Sequence, residues 1–299
     1  MIKKFTAILA LACSMFFGGV TGAAPSEAAD PEPEGGSVVV QKERGLLDWT
    51  QNYIESEGMA VAPVNVKGAQ AKALARRGAI VDLQRNLLEF MGGVQVDART
   101  TMDNFMADDR VRTEVSGIIK NVELLEGQWD GESYTIRGRI RIGQLRVVMA
   151  NNNLLPVPAP KPVYGATPDV TIILEPDPAP AGKLEAPKKQ KFTGLVIDVR
   201  HLPYVPAMTF QVFDASGRPV YGIDFVNQSS YLQSGLCAYY NNINYAKGEV
   251  HVASSPIVAR AVKLSDGNVN IIISNADAAK VRASSPDFRR ECKVIVVSK

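Results

Sequence analysis

The chain has 299 residues, with 33 Lys and Arg against 31 Asp and Glu, for a formal charge of +2. The two signs are interspersed, which excludes the strongly basic face that nucleic-acid binders carry, so no nucleic-acid partner is expected. Three cysteines, two histidines and no CxxC pair leave no four-ligand metal site legible, and neither metal nor cofactor is expected.

Lys3 and Lys4 precede sixteen uncharged residues, Phe5 to Val20, and then the small residues Thr21, Gly22, Ala23 and Ala24. A charged start, an apolar centre and a small-residue end predict a secretory signal peptide over 1–23, cleaved after Ala23 or Ala24, with Gly22 as the alternative site. The apolar run is shorter than the roughly 20 residues a spanning helix needs. A second reading makes Cys13 a lipidated residue after Ala10-Leu11-Ala12, although its Leu is one position out of place for that signal. Membrane contact is therefore expected to be peripheral, or through a lipid on Cys13. Either way the protein is exported, to the periplasm or the outer membrane. Cleavage leaves about 275 residues, the length of two ordinary domains.

Residues 24–47 are polar, rich in Pro and Glu, and read as a flexible leader. A first domain then covers 48–150. Asn52 to Ala62 predicts a strand ending at Pro63. Ala69 to Met91 shows helical spacing, with Ala69, Ala73, Ile80, Leu83, Leu87 and Phe90 on one face, and Gly92-Gly93 as the stop. Met102 to Ile118 reads as a second helical stretch broken near Asp108-Asp109. Val122 to Trp129, Asp130-Gly131 and Ser133 to Ile142 form the clearest hairpin, in which Tyr134, Ile136, Ile140 and Ile142 alternate with Thr135, Arg137, Arg139 and Arg141.

Nine of the 18 prolines fall between Pro156 and Pro187, so 151–191 reads as an extended Pro-rich linker, with Val170 to Leu174 as a short docked strand. A second domain covers 192–299. Phe192 to Leu202, Met208 to Phe213 and Val220 to Val226 are strand-like, with a turn at Ser216-Gly217. Ser229 to Tyr245 reads as helix, and Ile257 to Leu264 and Val269 to Ser274 flank an Asp266-Gly267 hairpin turn. A helix over Ala276 to Ala283 capped by Asn275, and a last strand Lys293 to Val297, close the chain. Both domains are expected to be α+β, each an antiparallel sheet with helices on it.

The stretch from Gly68 to Trp129 resembles the LPP-twenty family of bacterial envelope lipoproteins. The resemblance rests on Ala73-Leu74-Ala75-Arg76-Arg77, Ala79, Asp82, Arg85-Asn86-Leu87, Gly93-Val94, Val115-Ser116-Gly117 and the hairpin. The flagellar proteins FlgP and the N-terminal domain of FlgT share related features. Thr193-Gly194-Leu195, Val220-Tyr221-Gly222 and the run from Ile271 to Arg282 ending in Cys292 to Val297 look like a segment appended to this domain in other secreted proteins. The resemblance implies an assembly or scaffold role beside envelope or flagellar proteins, with self-association. Its motifs concern packing, not chemistry.

Candidate chemistry is sparse. His201 and His251 lie fifty residues apart, without a ligand partner at metal spacing. Asp198 near His201 invites a base-and-orienter reading, but no nucleophile matches it and no GxSxG elbow is present. Arg137, Arg139 and Arg141 form a basic stripe. It suits anionic headgroups or an acidic partner strand, or else cross-strand pairing with Glu123 or Glu126. A strand of this kind at a sheet edge would add to a second chain, so 48–150 is expected to oligomerise. Tyr239, Tyr240 and Asn241 could line a saccharide groove or merely end a helix. Cys237 and Cys292 either pair in the oxidising compartment or are two buried thiols. Pairing would close a loop of about 55 residues, worth about 4 kcal/mol. A non-catalytic envelope protein acting through protein contacts is the expectation. The alternative is a periplasmic ligand-binding module, or a hydrolase, that uses the second domain.

Overall fold

A computed structural model describes residues 36–42, 44–154 and 191–299. The expected signal peptide with Cys13, the start of the leader, and nearly all of the Pro-rich linker with its Val170–Leu174 strand lie outside the described residues. The protein is α+β, in two parts on either side of 155–190.

The first part begins earlier than its sequence pattern suggests. Within the expected leader, β1 (Val39–Lys42) and β2 (Gly45–Asp48) pair as an antiparallel ribbon, and β2 pairs with β3 (Tyr53–Val61), setting Leu47 opposite Ile54. Four-residue strands are too short for alternation to stand out in a polar context. What recruits them is Leu47, 3 % exposed against the core. Next come α1 (Gly68–Gly92), α2 (Met102–Met106) and α3 (Asp109–Lys120). The break between α2 and α3 has a local cause: the Asp108 carboxylate accepts from Arg110 N and Val111 N, capping α3. The hairpin β4 (Glu123–Trp129) and β5 (Ser133–Arg141) completes a sheet of order β1-β2-β3-β5-β4, and α4 (Ile142–Asn151) follows at once.

The buried stripe of α1 is Ala71, Ala75, Ala79, Leu83 and Leu87; Ala69 and Ala73, expected inside, are exposed. Alanine does not mark a face by itself, and here the methyls face the sheet because the helix lies very close to it. A Cβ on Gly58 of β3 would collide with the backbone of Ala79 and Leu83, and one on Gly138 of β5 would meet the Leu83 side chain. Two glycines and three alanines thus set the helix-to-sheet distance. Leu83, Leu87 and Met91 are then fully buried, each worth roughly 1.5–3 kcal/mol.

The second part holds two four-stranded sheets built from β6 (Gly194–Asp198), β7 (Val212–Asp214), β8 (Pro219–Tyr221), β9 (Ala238–Tyr240), β10 (Pro256–Arg260), β11 (Lys263–Ser265), β12 (Asn270–Ile273) and β13 (Val294–Val297). One sheet has the order β11-β12-β7-β8, with antiparallel outer pairs and a parallel central pair. The other, β10-β6-β13-β9, is parallel throughout, where an antiparallel sheet was expected. Short apolar runs such as Leu195–Ile197 and Val294–Val297 fit either direction. Their neighbours in sequence are not hairpin partners: each return to this sheet passes through a long connection with helical segments, the kind of crossover that parallel pairing requires. Both faces are covered, one by the main core and the other by Ala246 and Val252, which explains runs without alternation.

The expected helix over 229–245 is three elements: α5 (Gln228–Ser234), β9 and α6 (Ile243–Gly248). Gly235, at φ 78°, ends α5. Asn242 caps α6 by accepting from Asn244 N and Tyr245 N. The Asp266-Gly267 hairpin joins β11 to β12, while residues 256–260 feed the parallel sheet instead. The helix α7 (Asn275–Ala283) is capped by Ser274, whose hydroxyl accepts from Asp277 N at 3.0 Å, one residue before the expected Asn275.

The close approach of α1 makes a direct prediction. Gly58→Ala should lose about 1–3 kcal/mol of stability because the helix must lift. Gly117→Ala, in α3 where a Cβ would meet nothing, should gain about 0.5–1 kcal/mol. Urea denaturation of both variants checks this; equal stability for Gly58→Ala and the parent would refute the packing account.

Candidate functional site

The two parts meet around the loop that follows α1. Val96, in that loop, is buried, and its carbonyl accepts from both Thr209 N (2.7 Å) and Thr209 Oγ1 (2.9 Å), while Gln95 O accepts from Met208 N. Beside this seam lies a cleft of about 310 Å³, walled by Asp97, Ala98 and Arg99 on one side. Phe210, Gln211, Phe213, Ile223, Asp266 and Asn270 form the other side. An Asp-Gly-Asn run in the left-handed region, φ 45°, 67° and 66° at residues 266, 267 and 268, shapes the turn at its rim. These residue types tolerate that backbone best.

Most polar groups of the cleft hold its own walls. Asp97 Oδ1 accepts from Arg99 N (2.7 Å) and Thr100 N (2.9 Å). Asp266 Oδ2 accepts from Asn270 Nδ2 (2.9 Å), and Asn270 Oδ1 accepts from Gln211 N (2.9 Å). Arg99, exposed and without a side-chain partner among the described residues, is the charge left to meet a ligand. Nothing in the sequence joins 97–99 to 266–270; only the fold does.

The arginine stripe is tied down from an unexpected direction. Glu55 of β3, 6 % exposed, receives Arg137 Nη1 at 3.1 Å on one oxygen and Arg139 Nη2 at 2.9 Å on the other. The Arg139 guanidinium also lies 3.9 Å above the Tyr53 ring. Glu123 and Glu126 were the expected partners because β4 is the hairpin neighbour, but β5 has a second neighbour, β3, which supplies the buried acid. The strand β5 is therefore internal, not an edge, and cannot recruit a second chain through its backbone. The edges of this sheet are β1 and β4. Arg141 is exposed at the start of α4.

Tyr239, Tyr240 and Asn241 do not share a groove, because successive strand residues face opposite ways. Tyr239 is core: its ring lies 5.5 Å from that of Trp49, and its hydroxyl donates to Ala207 O at 3.1 Å. Burial pushes its phenol well above the ordinary range. Tyr240 is half-buried against Tyr245, and the Asn241 amide donates to Ser37 O in the first part.

Cys237 and Cys292 are free and buried, not joined. Burial raises both thiols, that of Cys292 to about 11 and that of Cys237 further. Between the parts, Arg146 of α4 is 6 % exposed, its Nη1 reaches Asn52 Oδ1 at 3.5 Å, and its Nε has no partner. Room for it comes from Gly235, where a Cβ would stand 3.1 Å from Arg146 Nη1. Desolvation lowers the guanidinium's pKa from its ordinary value. This buried cation was invisible in the sequence, where Arg146 reads as one more polar residue of a helix.

The histidines are structural. His201 Nε2 donates to Ala261 O at 3.0 Å and His251 Nε2 to Cys292 O at 2.8 Å, since a carbonyl can only accept. Burial lowers the His251 pKa, which keeps the ring neutral at pH 7. Asp198 is held below the usual carboxylate range, first by the Arg200 side chain on its oxygens at 2.9 and 2.8 Å. It therefore does not orient His201. Among the described residues no cluster of His, Cys, Asp and Glu could hold a metal ion.

Residues 194–299 match the family model described as the second domain of Treponema pallidum Tp0624. The match begins at the first residue of β6 and covers the whole two-sheet arrangement of the second part. No curated protein matches the chain.

Two buried thiols of high pKa should resist reagents that attack thiolate. In the folded mature chain, without Cys13, neither Cys237 nor Cys292 should react with iodoacetamide at pH 8. After unfolding without reductant, both should be alkylated, adding two groups by intact mass. No addition after unfolding would mean a disulfide.

Proposed function

We propose that the chain is an exported, non-catalytic protein of the bacterial cell envelope that works through contacts with other proteins. Export rests on the pattern of Lys3-Lys4, the apolar run and the small residues after it. Among the described residues no helix is long and apolar enough to cross a membrane. The resemblance of residues 68–129 to LPP-twenty proteins supports an envelope setting, with outer-membrane or flagellar partners.

The observation that carries the contact reading is β4. It is a seven-residue edge strand with one neighbour, and its residues are the least buried of the long strands of its sheet. Among the described residues its outer N–H and C=O groups have no backbone partner, the arrangement that accepts a strand from a partner or a second copy. A bulge between Leu124 and Gly127 leaves two short segments for that pairing. The titratable groups offer less to catalysis: Glu55, Asp198 and Asp214 are all engaged by arginines. A second reading, binding of a small polar ligand, is favoured by the cleft beside Arg99.

Expressed in a bacterial host with its own N-terminus, the chain should lose its first 23 or 24 residues and fractionate with periplasm or outer membrane. Leu124→Lys, which puts a charge on the edge at an exposed position, should reduce crosslinked species severalfold without lowering stability. A cytosolic chain that keeps Met1, or crosslinking indifferent to Leu124→Lys, would contradict the proposal.

A further inference from the structure

Three strands of the parallel sheet, β6, β10 and β13, run in the same direction and end at the same level, with Arg260 and Val297 each in register with Asp198. In open sheets of parallel strands, ligands bind outside the carboxyl ends. At that edge lies a shallow, open depression of about 460 Å³ lined by Asp198, Arg200, His201, Arg260 and Lys299. Three of its five residues, Arg200, Arg260 and Lys299, carry cationic nitrogen groups suited to an anion.

Their charges are unequally compensated. Asp198 stands directly across the sheet from Arg260, yet its carboxylate is taken by Arg200, whose Nε and Nη2 bind at 2.9 and 2.8 Å and whose N–H adds a third bond. Arg200 is thereby fixed in place. Arg260 and the Lys299 ammonium have no side-chain partner among the described residues. A rigid guanidinium beside a second, unpaired one and an ammonium is the arrangement that planar and tetrahedral oxyanions select. The side chains of Arg200, Arg260 and Lys299 outnumber the single carboxylate side chain of Asp198, which leaves the edge electropositive.

We propose that this carboxyl edge binds a phosphate group, with Arg260 and Lys299 as its principal contacts and Arg200 as the preorganised third. Inorganic phosphate, soluble phosphate esters and anionic lipid headgroups all present this chemistry.

The test uses the full mature chain. Titration with inorganic phosphate at constant ionic strength should show saturable binding that chloride does not reproduce. Arg260→Gln should weaken it at least about tenfold, since one charge-assisted contact is lost. Arg76→Gln, exposed on α1, should leave it unchanged, and both variants should keep the parent's far-UV spectrum. Co-sedimentation with phosphatidylglycerol vesicles against phosphatidylcholine vesicles separates the sources. Phosphate binding with no preference for the anionic vesicles identifies a soluble phosphate, whereas an Arg260-dependent preference identifies a headgroup. Absence of saturable phosphate binding, or binding indifferent to Arg260→Gln, would overturn the proposal.

Discussion

The carbonyl of Val96 is buried between the two parts and receives both the backbone N–H and the hydroxyl of Thr209. A buried peptide oxygen deprived of its partners costs about 1–3 kcal/mol. The seam also covers Trp49, stacked at a tilt on Tyr239, and Arg146, whose charge cannot stay out of water unless the second part closes over it. The buried residues of both parts form one continuous core. Two α+β parts therefore behave as one body, and everything at their junction follows: the cleft beside Arg99, the room that Gly235 leaves for Arg146, and the contact of Asn241 with Ser37.

Direction of chain, not composition, decides what the second part can do. A parallel sheet gathers the ends of β6, β10 and β13 on one side, bringing residues 198–201, 260 and 299 together from three distant stretches. An antiparallel sheet of the same strands would alternate those ends and scatter the cations. In the first part the opposite logic holds. Its sheet is antiparallel, β5 is enclosed by β3 and β4, and the exposed backbone lies on β4. One part thus offers a charged rim and the other a bare strand.

Local chemistry was legible in the sequence where it is self-contained. The Asp130-Gly131 hairpin, the break at Asp108, the length of α1 and the strand over 294–297 all follow from caps, turns and periodicity. What sequence hid depends on strand order. Glu55 became the partner of Arg137 and Arg139 because β3, eighty residues away, lies beside β5. Tyr239 looked like part of a polar cluster, yet one residue's shift along β9 sends it into the core. Cys237 and Cys292 share a domain, as expected, but their spacing could not say whether the thiols join. The buried stripe of α1 was misplaced for a simpler reason: alanine fits inside or outside, and only the glycines across the gap decide.

The claim on which the rest depends is that the two parts share one core. A Trp129→Phe variant leaves Trp49, at the seam, as the sole tryptophan. Urea unfolding followed by Trp49 fluorescence and by far-UV circular dichroism should give a single coincident transition. Exposure of Trp49 at lower urea, ahead of the loss of secondary structure, would mean that the parts separate before they unfold and would contradict the account.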